Sequence, residues 1–204
     1  MSVKRIVHLI DDDVSILNSI ATFLSARGFD VATYNSAVKF LESARPGLTG
    51  CVVTDVRMAG MTGIELVADL KQRRISIPII IITAHADISL AIKAMRHGVL
   101  DMLEKPFNNT ALVNSIETTF ARWNEGQAKP NSEAINGKLG TLTTREREVL
   151  AQLLNGTPNK IIAHELGIST RTVETHRATV MSKMEASSLA ELVRMCLSTQ
   201  EFGS

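Results

Sequence analysis

Apolar residues along the first 124 positions fall into two alternating patterns. Short unbroken runs, RIVHLI (5–10), VATY (31–34), CVVT (51–54), IIII (79–82) and VLDML (99–103), are separated by stretches whose apolar positions recur every three or four residues. Val14, Leu17, Ala21 and Leu24 mark one such stripe, and Ile88, Ala91, Ile92 and Met95 another. Runs that are apolar throughout predict strands covered on both faces, as in a parallel sheet. Gly28 and Gly98 stand where helix C-caps belong. Five strand and helix repeats predict an α/β, flavodoxin-like, doubly wound five-stranded parallel sheet, order 2-1-3-4-5, with right-handed crossovers. Its last helix is expected from about Asn109 to Trp123.

The pattern then changes. NEGQAKPNSEAINGKLG (124–140) combines three glycines, a proline and polar residues with few apolar anchors, which reads as a linker over 125–138. No strand pattern returns after it, and residues 139–204 predict a small all-α four-helix domain. LTTREREVL (142–150) opens a helix with Thr143 and Glu146 at capping-box spacing, and Pro158 suits a first turn. NKIIAHELGISTRTVETHRATVMSKM (159–184) predicts two helices joined by a tight turn at Gly167–Ser169, with Ile162, Ala163, Leu166, Ile168, Val173 and Val180 between them. That is a helix-turn-helix layout.

Composition narrows the classes without choosing among them. In 204 residues, 45% hydrophobic and 21% charged, nothing points to a disordered chain, and no apolar stretch approaches the ~18 residues of a membrane helix. The apolar run before Asp11 is too short for a signal peptide, so the expectation is a cytoplasmic protein that does not engage a membrane. Cys51 and Cys196, in separate halves and apolar company, read as reduced core thiols. Residues 1–124 carry 13 basic and 12 acidic side chains and residues 125–204 nine of each, so neither half is a basic domain and bulk charge does not announce nucleic acid.

Local placement is more informative. In open α/β sheets the working crevice lies beyond the carboxyl ends of the strands. Asp11 and Asp12 follow the first strand and Asp55 the third, which the expected order makes neighbours. Carboxylates that close repel unless a cation neutralises them, and an all-oxygen set suits Mg²⁺ (or Mn²⁺) better than zinc. Asp13, by contrast, reads as the N-cap of the first helix. Thr83 and Lys105 end two further strands, adding a hydroxyl and an ammonium to the same edge. The set suits phosphoryl transfer, with a carboxylate nucleophile, cations balancing phosphoryl charge and a hydroxyl on a phosphoryl oxygen.

Residues 3–124, with DDD (11–13), TDVRMAGMTG (54–63), TA (83–84) and KPF (105–107) at the strand ends, resemble the receiver domains of two-component response regulators. The resemblance implies that Asp55 accepts a phosphoryl group from a sensor histidine kinase. It further implies that Asp11, Asp12, Asp55 and the Arg57 carbonyl hold Mg²⁺, that Lys105 contacts the phosphoryl group, and that Lys105–Pro106 is cis. Ala59 departs from the usual proline, and Met102 stands where receivers commonly carry Tyr or Phe as a switch. Arg57 and His85 flank the expected phosphoryl site and are expected to tune its lifetime.

On the second helix of the pair, Arg171, Glu174, Thr175 and Ala178 lie away from the Val173 and Val180 stripe, with Thr170, Thr172, His176, Arg177 and Lys183 around them. Cations and hydroxyls suit phosphate contacts, an outward helix face suits base edges, and the lack of aromatics argues against single strands. Residues 139–198 resemble LuxR-type DNA-binding domains, and with the receiver the nearest type is the FixJ response regulators. Duplex promoter DNA is then the implied partner, contacted by these residues and Lys160, with RNA polymerase a further candidate. Glu174 stands where many members carry Lys. Phosphorylation is expected to drive homodimerisation. Ile88, Ile92 and Met95 divide between core and dimer roles, and Leu189, Leu192 and Val193 between a dimer face and packing on their own domain. The expected division is thus a receiver at 1–124, a linker at 125–138 and a DNA-binding domain at 139–204.

Two other functions share parts of the pattern. A haloacid-dehalogenase-like phosphohydrolase also uses an Asp nucleophile and Mg²⁺, but needs D-x-D, and Arg57 occupies the second position. A protein-binding adaptor would show no salt-dependent binding to duplex DNA.

Overall fold

The computed structural model describes residues 5–84, 88–124, 132–186, 189–197 and 199. They divide into two compact units, Met1–Ala86 with His97–Gln127, and Asp87–Arg96 with Ala128–Ser204.

In the first unit β1 (Ile6–Ile10), β2 (Asp30–Tyr34), β3 (Cys51–Asp55), β4 (Ile79–Thr83) and β5 (Asp101–Glu104) form one parallel sheet in the order β2-β1-β3-β4-β5. The helices of this unit are α1 (Val14–Ser25), α2 (Ala37–Ser43), α3 (Gly63–Gln72) and α5 (Asn109–Asn124). The side-chain period of two sorts the strands onto two faces. Val7, Leu9, Cys51, Val53, Ile80 and Ile82 pack with Leu17 and Leu24 of α1 and Leu112, Val113 and Ile116 of α5. Both faces are therefore covered, which is why the strands read as unbroken apolar runs. Phe40, Leu66 and Leu70 are fully buried on α2 and α3, each contributing about 1.5–3 kcal/mol of burial.

Several polar side chains are buried in this unit, and among them His8 carries an imidazole into the core. His8 on β1 is 5% exposed; Nε2 bonds the Thr49 carbonyl at 3.0 Å, and Nδ1 lies 3.4 Å from the Tyr34 hydroxyl. The ring packs against Tyr34 and Phe40. These bonds suit a neutral imidazole donating from Nε2 and accepting at Nδ1. Burial lowers its pKa, and the Thr49 carbonyl only partly opposes that. A pKa lower in the fold than the ordinary value of about 6.5 means the unfolded chain binds protons first. The stability His8 contributes is complete above that value and is lost as pH falls through and below it. In urea titrations the unfolding midpoint of the wild type is expected to drop below about pH 6.5, and His8→Gln to flatten that limb. Parallel wild-type and variant curves over this range would contradict the assignment.

The second unit comprises α4 (Ile88–Arg96), α6 (Ser132–Gly140), α7 (Thr144–Leu154), α8 (Asn159–Leu166), α9 (Thr170–Met184) and α10 (Leu189–Leu197). The four helices expected after residue 139 are α7 to α10. The stretch expected as a linker over 125–138 ends in a helix, because α6 begins at Ser132. Ile135 and Leu139, four residues apart, give that stretch a buried apolar pair, which the surrounding polar and glycine residues concealed. Val149, Leu150, Ile162, Val173, Val180 and Met184 are fully buried and form the core of this unit. Among the described residues no helix is long and apolar enough to cross a membrane.

Candidate functional site

Parallel strands in register bring their ends to one edge. Ile10 pairs with Thr54, Asp55 with Ile82, and Thr83 with Glu104, so Asp11, Asp55, Thr83 and Lys105 all emerge there. Lys105 Nζ donates to Asp11 Oδ2 at 3.1 Å and to Asp55 Oδ2 at 3.2 Å. Asp11 is 4% exposed and Thr83 1%. Burial works against the Lys105 charge, but the hydrogen bonds and charges of Asp11 and Asp55 outweigh it and raise its pKa. The Lys105–Pro106 peptide is cis, as expected.

The remaining acids divide by role. Asp13 caps α1, accepting from Ser15 N at 2.8 Å and Ile16 N at 3.3 Å, and its own amide donates to Asp11 Oδ1 at 2.9 Å. Asp12 is exposed, and its Oδ2 accepts the Ala59 amide at 2.9 Å. Proline at position 59 would have no such donor, so the alanine ties the loop after β3 to the loop after β1. Arg57 is exposed on that loop, and His85 lies outside the described residues.

Among the described residues no three His, Cys, Asp or Glu side chains form a group that could hold a metal ion. Asp11, Asp12 and Asp55 reach one edge as expected but not one ligand set, because Lys105 bridges two of them and Asp12 faces Ala59. In kind they fit a hard divalent cation: all donors are oxygen, and the three carboxylates at this edge outnumber the one ammonium.

Two features of the site were not read from the sequence. One is the Ala59 amide on Asp12. The other is Gly63, whose amide donates to the Val56 carbonyl at 2.9 Å while α3 starts hard against the Asp55 backbone. The signal for Gly63 was a glycine directly after Thr62, the N-cap of α3 in a capping box with Glu65.

The helix-turn-helix layout is present in α8 and α9. Gly167 takes a left-handed conformation, φ 64°, at the end of α8, and Ser169 caps α9 by accepting from Thr172 N. Arg145 of α7 donates to the Leu166 carbonyl, securing the last turn of α8. On α9, Thr170, Arg171, Glu174, Thr175 and Ala178 are exposed, whereas Thr172, His176 and Arg177 are half-buried. Arg177 Nη1 donates to Asn159 Oδ1 at 3.4 Å, and Lys160 is exposed on α8. Lys183, expected among the DNA contacts, has partners of its own within the unit. Its ammonium is bonded to Glu146 Oε2 at 2.7 Å and the Thr141 carbonyl at 3.2 Å, so it serves a contact inside the unit.

The residues left open between core and interface roles fall as follows. Ile92, Met95, Leu192 and Val193 are buried within the chain, and Met102 is 7% exposed. Leu189 is half-buried. The Ile88 side chain lies outside the described residues.

A parallel sheet with acids, a threonine and a lysine at its carboxyl edge, followed by a helix-turn-helix, defines a receiver joined to a DNA-reading head. Two family models match accordingly, the response regulator receiver domain over residues 7–117 and the luxR family of bacterial regulatory proteins over residues 140–196. The chain belongs to the FixJ-type two-component response regulators. It is 44% identical over 192 residues to the transcriptional regulatory protein FixJ of Azorhizobium caulinodans, covering 94% of this chain and 91% of that one. It is likewise 44% identical over 200 residues to FixJ of Bradyrhizobium diazoefficiens, covering 97% of each. The crystal structure of full-length FixJ from B. japonicum superposes with a TM-score of 0.57 at 41% identity, covering 97% of this chain and 98% of that one.

Proposed function

We propose that the protein is a cytoplasmic transcription regulator in which Asp55 carries the phosphoryl group. The single observation that carries this reading is Lys105 Nζ placed between Asp55 and Asp11. A carboxylate oxygen of Asp55 attacks phosphorus of a sensor kinase's phosphohistidine; the P–N bond breaks and the imidazole leaves. Lys105 balances the charge that gathers on the transferring oxygens, and the Thr83 hydroxyl donates to one of them. Asp11, Asp12, Asp55 and the Arg57 carbonyl would hold Mg²⁺ (or Mn²⁺), which when bound neutralises phosphoryl charge. Phosphorylation promotes homodimerisation, which requires the covered faces at Ile92, Met95, Leu192 and Val193 to be uncovered. The paired heads then bind promoter duplex DNA, with the exposed face of α9 toward base edges and Lys160 and Arg171 toward phosphates. RNA polymerase is the partner through which transcription then changes.

The test is labelling with a radioactive small acyl phosphate in Mg²⁺. Wild type is expected to take up acid-stable, base-labile label and Asp55→Asn none, with gel filtration and duplex-DNA binding followed on the same samples. Labelling of the Asn variant at the wild-type level would remove Asp55 from its role.

A further inference from the structure

The C-terminal end of α9 is gripped from α6, α7 and the turn between them. Glu146 on α7 is 6% exposed, and its Oε2 accepts both Lys183 Nζ and the Thr143 amide, at 2.7 and 2.8 Å. Lys183 also donates to the Thr141 carbonyl in the α6–α7 turn. Just beyond the end of α9, Glu185 pairs with Lys138 of α6 at 2.9 Å, an exposed contact of little weight by itself. Arg147 of α7 donates to the Leu139 carbonyl at 2.6 Å, in the last turn of α6. The outward residues Arg171, Glu174 and Thr175 lie toward the other end of the same helix. Twelve positions at 1.5 Å each put Lys183 about 18 Å along the axis from Arg171.

We propose that Lys183 is a positioning residue, which sets the angle at which α9 projects by bonding Glu146 and the Thr141 carbonyl and does not itself contact nucleic-acid phosphate. The proposal rests on the reading of α9 as the DNA-reading helix. Moving Lys183 to a phosphate would leave Glu146 buried without its cation, and an uncompensated buried charge is costly. Glu146 stays charged at neutral pH, because the Lys183 hydrogen bond first, and the Thr143 amide next, hold its carboxyl below the ordinary carboxylate range. At neutral pH the lysine therefore faces a negative charge.

Salt dependence separates a positioning lysine from a phosphate contact. Each phosphate contact contributes about 0.9 to the slope of log affinity against log salt. Full-length protein is titrated with a fluorescent mixed-sequence duplex at several salt concentrations, with helix content followed by circular dichroism. Lys183→Met and Glu146→Gln are expected to weaken binding severalfold by a common factor at every salt concentration, with the wild-type slope kept. The double variant, which strands no charge, is expected to stay folded and bind no worse than either single, and Lys183→Arg to restore affinity. Arg171→Ala serves as the contrast, losing about 0.9 of slope. Should the single variants unfold, the double variant decides by its slope. A slope lowered by about 0.9 in Lys183→Met or the double variant, or unimpaired binding by Glu146→Gln, overturns the positioning role. A wild type with no salt-dependent binding overturns the DNA reading itself, a result distinct from either.

Discussion

Lys105→Met is expected to slow labelling of Asp55 about 10²–10³-fold, the loss typical when one donor aimed at developing charge is removed. The side chain is the cation 3.1 Å from Asp11 and 3.2 Å from Asp55, and methionine fills similar volume without the charge. Stability should fall as well, because two nearly buried carboxylates are left facing each other. Removing one partner of a buried pair costs about 3–5 kcal/mol, and the 23% exposure of the lysine side chain places this case at or below the lower end. The pH sign follows from the raised Lys105 pKa. Its contribution is complete at neutral pH and lost only as pH rises through the lysine range, so the variant and the wild type should converge in strong base. A second cation tests the same point: Mg²⁺ should raise the urea midpoint of Lys105→Met more than that of the wild type, because ligand binding to the folded state stabilises it. Single-turnover labelling and urea titrations with and without Mg²⁺ measure both effects. An unchanged labelling rate would take Lys105 out of the reaction.

The edge that Lys105 completes was legible because parallel strands end together. Once five short apolar runs are recognised, the residues after each run must share one rim, and Asp11, Asp55, Thr83 and Lys105 do. The direction in which a side chain then turns depends on loops that carry no periodic signal. Asp12 and Asp13 are adjacent and chemically identical, yet one accepts the Ala59 amide 47 residues away and the other caps its own helix. Lys183 shows the same limit. Along α9 it looks like a solvated cation, and only folding brings Glu146, 37 residues earlier, against it. The faces of α4 and α10 mark a further limit. Periodicity shows that Met95 and Leu192 are apolar-facing, but not whether the covering surface belongs to the same chain or to another.

Gly63→Ala should disable the phosphoacceptor without touching an ionisable group. A Cβ built on Gly63 falls far inside contact distance of the Asp55 carbonyl oxygen, 3.2 Å from its carbon and 3.3 Å from Thr54 Cγ2. Those are backbone and side-chain atoms of a central strand hydrogen-bonded on both sides, so they cannot rotate away as a surface side chain would. Either α3 lifts from the sheet, losing part of the burial of Leu66 and Leu70, or the end of β3 shifts and carries Asp55 with it. Alanine gains up to ~1 kcal/mol over glycine in a helix, but less in a first turn. Overpacking against main chain costs about 1–3 kcal/mol and outweighs it. The expected result is a lower urea midpoint together with labelling slowed on the order of 10²-fold, since a displacement of about 1 Å at a reacting group has that effect. Gly137→Ala provides the control, because nothing lies within 4 Å of its added methyl, and there the helix preference alone should act and stabilise. If Gly63→Ala matched the wild type in both midpoint and labelling, the close approach of α3 would not be what seats Asp55.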